Sequence, residues 1–211
     1  MLNRALGKQS RALFFNYNKP MSKKYWWHRV RANFLLFINR RAQAMEALET
    51  ALAIDPSDSA AKTTLGVFYC ESGNFPLAVK HLQSALHDEP GSANILFNLG
   101  FVQQKQAMHR EAIETFSNAL QISPSLDRAW FGRGLSQAAL KQHENAISDF
   151  ERAAKLQPMN PHALFELGLQ YHALNNQEKV IAVIKRLREF DPKAMRELMQ
   201  ATNITIEMKR T

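Results

Sequence analysis

Residues 93–126, ANILFNLGFVQQKQAMHREAIETFSNALQISPSL, and residues 127–160, DRAWFGRGLSQAALKQHENAISDFERAAKLQPMN, can be laid one over the other without a gap. Gly100 then falls on Gly134, Ala112 on Ala146, Phe116 on Phe150, Ala119 on Ala153 and Pro124 on Pro158. Carried outward, the same 34-residue step reaches Pro56, Pro90 and Pro192, so five prolines stand on one lattice. A fixed period of this length marks a chain that stacks copies of one supersecondary unit. With each proline at position 32 the units are 25–58, 59–92, 93–126, 127–160 and 161–194. A segment 1–24 precedes them, and a capping helix and tail over 195–211 follow.

The recurring residues have a physical logic. Position 8 reads Ala32, Gly66, Gly100, Gly134 and Gly168, and position 20 reads Ala44, Ala78, Ala112, Ala146 and Val180. Position 24 reads Leu48, Leu82, Phe116, Phe150 and Ile184, and position 27 reads Ala51, Ala85, Ala119, Ala153 and Leu187. Small residues at 8 and 20 let two antiparallel helices approach, and the large residue at 24 fills the space beside them. The spacing predicts a first helix over roughly the first 14 positions, a short turn such as Ser72-Gly73-Asn74, and a second helix over positions 18–31. The proline ends the second helix. The apolar first helix from Tyr25 to Ile38 is capped by Ser22 and is expected to be covered by something. The larger residues Val180, Ile184 and Leu187 predict a looser or re-registered last hairpin.

This pattern over 25–194 resembles the tetratricopeptide-repeat family. The resemblance implies an all-α, right-handed solenoid of antiparallel helix pairs, with a C-terminal solvating helix built from Ala194, Met195, Leu198 and Met199. It also implies a concave face lined by positions 2, 5, 9, 12 and 13 of each first helix. In the last three units position 5 reads Phe97, Phe131 and Phe165, and position 9 reads Phe101, Leu135 and Leu169. Asn94, Arg128 and His162 at position 2, with Gln104 and Lys105, would form a polar rim. Such a groove suits an extended peptide or an amphipathic helix with apolar anchors. The competing reading of the same residues is packing between neighbouring first helices, or occupation by the chain's own N-terminal segment. The carboxylate clamp used by one subclass of the family is matched only in part: Arg29 and Asn33 fit, but Thr64, Asn94 and Asn98 do not.

The chemistry expected from the remaining residues is non-enzymatic. The seven histidines contain no His-Glu-x-x-His pair and form no metal-like cluster with Cys70, the sole cysteine, so neither metal nor cofactor is expected. Gly132-Arg133-Gly134 lacks the third glycine and preceding strand of a dinucleotide loop. The lone cysteine points to a reducing compartment, here the cytoplasm. The apolar run Phe34–Ile38 is far shorter than the roughly 20 residues that cross a bilayer.

The charge is uneven. Residues 1–45 hold ten Lys/Arg and no acid, within a chain of 27 basic and 19 acidic residues. Leu2, Leu6 and Leu13 share one side of a helix, and Arg4, Lys8 and Arg11 the other. Such a segment is a solvated extension, a peripheral membrane contact, a phosphate-binding arm or a mitochondrial transit peptide. The leading reading is therefore an interaction scaffold that supports complex assembly through a protein partner, with no small-molecule substrate. Its rival is a membrane-surface or nucleic-acid-associated structural factor acting through residues 1–24, nucleic acid being the less expected of the two.

Overall fold

The computed structural model describes residues 22–206, and the amphipathic segment expected over residues 2–13 lies outside them. Among the described residues there are eleven helices and no strand. They are α1 Lys23–Phe37, α2 Arg41–Ile54, α3 Ser59–Glu71, α4 Phe75–Asp88, α5 Ala93–Lys105 and α6 His109–Ile122. They continue with α7 Asp127–Ala139, α8 His143–Leu156, α9 Pro161–Ala173, α10 Gln177–Arg188 and α11 Pro192–Thr202. From α3 onward each first helix covers positions 1–13 of its repeat, and each second helix starts at position 17, one residue earlier than the spacing predicts.

The turn between paired helices explains that shift. Position 15 is left-handed in every repeat: Asn39 (φ 58°), Gly73 (φ 78°), Ala107 (φ 58°), Lys141 (φ 59°) and Asn175 (φ 56°). Two backbone bonds close each turn. Gly73 N donates to Cys70 O (3.0 Å) and Asn74 N to Tyr69 O (2.8 Å), and the same pair recurs at Ala107/Met108, Lys141/Gln142 and Asn175/Asn176. This is the Schellman arrangement, which satisfies the orphan carbonyls at a helix C-terminus. Glycine serves it at one turn of the five.

The described residues divide into two compact units, one up to Ala61 and one from Lys62 onward. In the first, Tyr25, Ala32 and Leu35 of α1 and Ala44, Ala47, Leu48 and Ala51 of α2 are buried. Ser22 Oγ accepts from Tyr25 N (3.3 Å), as its place before the helix predicts. Asp58 ties the hairpin to the start of α3. It accepts from Tyr25 Oη (2.5 Å), from Arg29 Nε (2.8 Å) and from Ala61 N (2.9 Å). Burial, then this hydrogen bond, pushes the Tyr25 phenol up to about 12.

In the second unit the small-into-large interlock takes atomic form. A Cβ at Gly66 would stand 2.6 Å from Leu82 Cγ, one at Gly100 2.9 Å from Phe116 Cδ1, and one at Gly134 2.8 Å from Phe150 Cε1. Gly132, at position 6, belongs to the same device: a Cβ there would stand 2.7 Å from Phe116 Cζ. The fully buried Phe116 ring therefore lies against the backbones of both α5 and α7. The last repeat departs from the rule. Its Gly168 receives Leu198 of α11, whose Cδ2 would be 2.5 Å from an added Cβ, and α11 packs on α9 and α10. Pro192 opens α11 at its first turn, under Asp191, which accepts from Lys193 N and Ala194 N.

Candidate functional site

Successive first helices α5, α7 and α9 lie side by side in the second unit and form one continuous face. Phe97, Phe131 and Phe165 from position 5 and Leu135 and Leu169 from position 9 are half-buried on it. Phe101 stands out, with 37% of its surface exposed. The position-5 rings reach inward. Phe97 meets Phe116 at 5.9 Å between centroids, and Phe131 meets Phe150 at 5.6 Å. Phe131, Leu135, Phe165 and Leu169 all pack against the buried cluster of α8–α11. The aromatic column is thus the floor of the face and the edge of the core together, and Phe101 is its outermost ring.

The polar residues expected at the rim fall into three situations. Arg128 and Asn94 are brought together: the guanidinium donates to Asn94 Oδ1 (2.7 Å) and lies 4.6 Å from the Phe97 ring centre. Lys105 Nζ lies 5.2 Å from the centre of Phe101. Both cations are therefore held over aromatic faces, a favourable electrostatic contact with the ring quadrupole. Gln104 is engaged within the protein instead. Its Nε2 donates to Gly132 O and Ser136 Oγ, each at 2.9 Å, and so bonds α5 to α7. His162 stands apart and exposed, in the first turn of α9.

A cleft of about 180 Å³ opens beside Phe101, lined by Val67, Cys70, Glu71, Phe97, Asn98, Phe101 and Val102. Val67, Cys70 and Glu71 occupy positions 9, 12 and 13 of the unit 59–92, so the repeat pattern already carried them onto this face. Asn98 and Val102, at positions 6 and 10, needed the helix packing to be seen. Burial pushes the Cys70 thiol up, with Lys105 acting in the opposite direction, so this wall of the cleft is an uncharged thiol. Burial also raises the carboxyl of half-buried Glu166 in α9, against the lowering effect of His162 one turn away.

A larger crevice of about 590 Å³ lies between α8, α9 and α10. Leu164 and Leu167 line it where the preceding repeat has Trp130 and Arg133. In that repeat Trp130 Nε1 bonds to Pro124 O (2.8 Å), and Arg133 grips both oxygens of Asp149 (2.7 Å each). Most polar groups of the crevice are already engaged: Tyr171 Oη donates to Glu151 (2.5 Å), and Arg186 reaches the carbonyls of Ala154 and Pro158. The face of α5, α7 and α9 is the better site: the cleft, the exposed Phe101 ring and the cations Lys105 and Arg128 gather at its α5 end, and the apolar floor runs on from there to Phe165 and Leu169.

Family models described as tetratricopeptide repeat match residues 39–96, 93–126 and 127–160, an unbroken stretch of more than half the chain. Solved structures agree on the fold. MamA from Desulfovibrio magneticus RS-1, residue 41 to the end, is 17% identical, with 87% of this chain and 99% of that one covered at a TM-score of 0.72. Another MamA structure is 18% identical over 88% and 99% at 0.71. YrrB, described as a TPR protein with an unusual peptide-binding site, is 20% identical over 92% and 97% at 0.69. A search of curated proteins finds no match. On these grounds the chain is an all-α solenoid that belongs to the tetratricopeptide-repeat family.

Proposed function

We propose that this chain is a non-enzymatic, cytoplasmic interaction scaffold. Its concave face over α3, α5, α7 and α9 holds an extended peptide or an amphipathic helix of a protein partner and so supports assembly of a larger complex. The observation that carries this reading is Phe101, an exposed aromatic ring beside an apolar cleft, with Lys105 5.2 Å from the ring centre. An apolar side chain of the partner enters the cleft, Phe101 packs on it, and Asn98 and Glu71 meet its polar backbone groups. A few such anchors dominate binding in known interfaces. Membership of a family built for protein–protein interaction supports the reading, as does the peptide-binding site described for YrrB, which shares the fold.

The test is selection of peptides from a random library on the immobilised full chain. Titration of the selected peptides against wild type, Phe101→Ala and Met159→Ala then follows, Met159 being an exposed residue of the loop after α8 that does not line the cleft. Loss of the ring is expected to weaken binding at least about tenfold, the scale of a single anchor, and Met159→Ala to leave it unchanged. Equal affinity for wild type and Phe101→Ala overturns the proposal.

A further inference from the structure

Helix α1 is apolar on two sides, and the hairpin uses one of them. Tyr25, Ala32 and Leu35 are buried, whereas Trp26 (59% exposed), Trp27, Val30, Phe34 (59%), Phe37 (87%) and Ile38 face outward. At about 100° per residue these six span an arc of about 120°, opposite the buried three. Five of the eleven large exposed hydrophobics among the described residues sit on this one helix, and a sixth, Ile38, is its C-cap. An apolar face of this kind, rimmed by polar residues, marks a site that meets something.

The charge around it says what. Lys23 and Lys24 lie in the first turn, Arg31 lies 5.5 Å from the Trp27 ring centre, and Arg40 follows the helix. No acid occurs anywhere in residues 1–45. Arg29, on the buried side, is held by Asp58. A second copy packed face to face would bring these cations against their own images with no carboxylate between them. The chain's own first residues would do the same, because Arg4, Lys8, Arg11 and Lys19 are their only charged side chains. An anionic lipid surface supplies both an apolar layer and a negative potential.

We propose that the outer face of α1 is a membrane-docking surface that lies in the interfacial layer of an anionic bilayer. The aromatic arc sinks to the level where acyl chains meet headgroups, the depth Trp rings favour, while Lys23, Lys24 and Arg31 reach the lipid phosphates. The helix lies on the bilayer and does not cross it: no helix among the described residues is long and apolar enough to span one. The sequence alone assigns membrane contact to residues 1–24; α1 moves its apolar part to Trp26–Ile38. This proposal is independent of the peptide-binding face.

The test is flotation of the full chain with vesicles of phosphatidylcholine alone and of phosphatidylcholine with about one third phosphatidylglycerol, alongside tryptophan emission. The expected result is binding to the anionic vesicles with a blue shift, and binding at least about tenfold weaker to the neutral ones. Phe34→Ser with Phe37→Ser, which leaves every cation and both tryptophans in place, is expected to abolish flotation at unchanged helical content. Lys23→Gln with Lys24→Gln, which leaves the aromatic face whole, weakens it and lowers its salt sensitivity. Absence of wild-type flotation overturns the proposal. So does equal flotation of the Phe34/Phe37 variant, which would leave binding to the basic arm. A concentration-dependent dimer that the Phe34/Phe37 variant alone fails to form, without vesicle binding, overturns it in favour of a second copy.

Discussion

Replacing Gly132 by alanine sets two opposed effects against each other in one residue. A glycine inside a helix is worth about 1 kcal/mol less than alanine, so at an open site the change stabilises. Gly132 is not an open site: the new Cβ would stand 2.7 Å from Phe116 Cζ and 3.1 Å from both Cε1 and Cε2. Carbon atoms rest at about 3.5–4.0 Å, so the overlap is close to 1 Å. The ring has little room to retreat, because it is fully buried, presses on Gly100 and meets Phe97 at 5.9 Å. Overpacking of this kind costs about 1–3 kcal/mol, which exceeds the propensity gain and leaves a net loss of about 1 kcal/mol. The assay is urea denaturation followed by circular dichroism, with Gly91→Ala as a control whose Cβ would meet nothing within 4 Å. Phe116→Leu in the Gly132→Ala background should recover part of the loss, because a shorter side chain vacates the volume the methyl enters. A coupling of at least about 0.5 kcal/mol is expected for residues in contact. A Gly132→Ala protein more stable than wild type by the full helix-propensity gain, with no coupling to position 116, would refute the reasoning.

Two further consequences concern stability. Ala107→Gly and Lys141→Gly relieve a left-handed conformation that costs an L-residue about 1–2 kcal/mol. After the entropy glycine loses on folding, each should raise the melting temperature by about 2–4 °C, with Asn175→Gly gaining less because asparagine tolerates that region. Glu166→Gln should stabilise at neutral pH, because burial raises the folded carboxyl above its ordinary range and the ionised form is the strained one. In that linkage the wild type is at no disadvantage below the ordinary carboxylate pKa, where both states are protonated. It falls behind as pH rises and the unfolded chain ionises first. Melting curves of both proteins should therefore converge below about pH 4 and separate toward pH 7; a constant gap would exclude titration of Glu166 as its source.

The fold was legible because its signal is a count: five prolines and four position-8 glycines on one step admit no other architecture. What the repeat pattern could not show is where one repeat touches the next. Gly132 reads as half of a false dinucleotide loop until Phe116 is seen to need its missing side chain. Leu198 reads as part of a capping helix until Gly168 is seen to receive it in place of Ile184. Ala107 and Lys141 carry no mark of a left-handed turn, since the geometry is imposed by the two backbone bonds of the Schellman motif. On the candidate face, spacing places Phe97, Phe101 and Phe131 together, but their depths differ. Two rings rest on Phe116 and Phe150, and the third points to solvent. The apolarity of α1 is equally plain in the sequence; which half of it the hairpin buries depends on the packing of α2.

The central claim is that the face of α5, α7 and α9 holds the partner. Its most direct test is photo-cross-linking of the full chain in lysate, with benzoylphenylalanine placed once at Phe101 and once at Met159. The account predicts a discrete adduct from position 101, suppressed by excess selected peptide, and none from position 159. An adduct from 159 with none from 101 would place the partner elsewhere and contradict it.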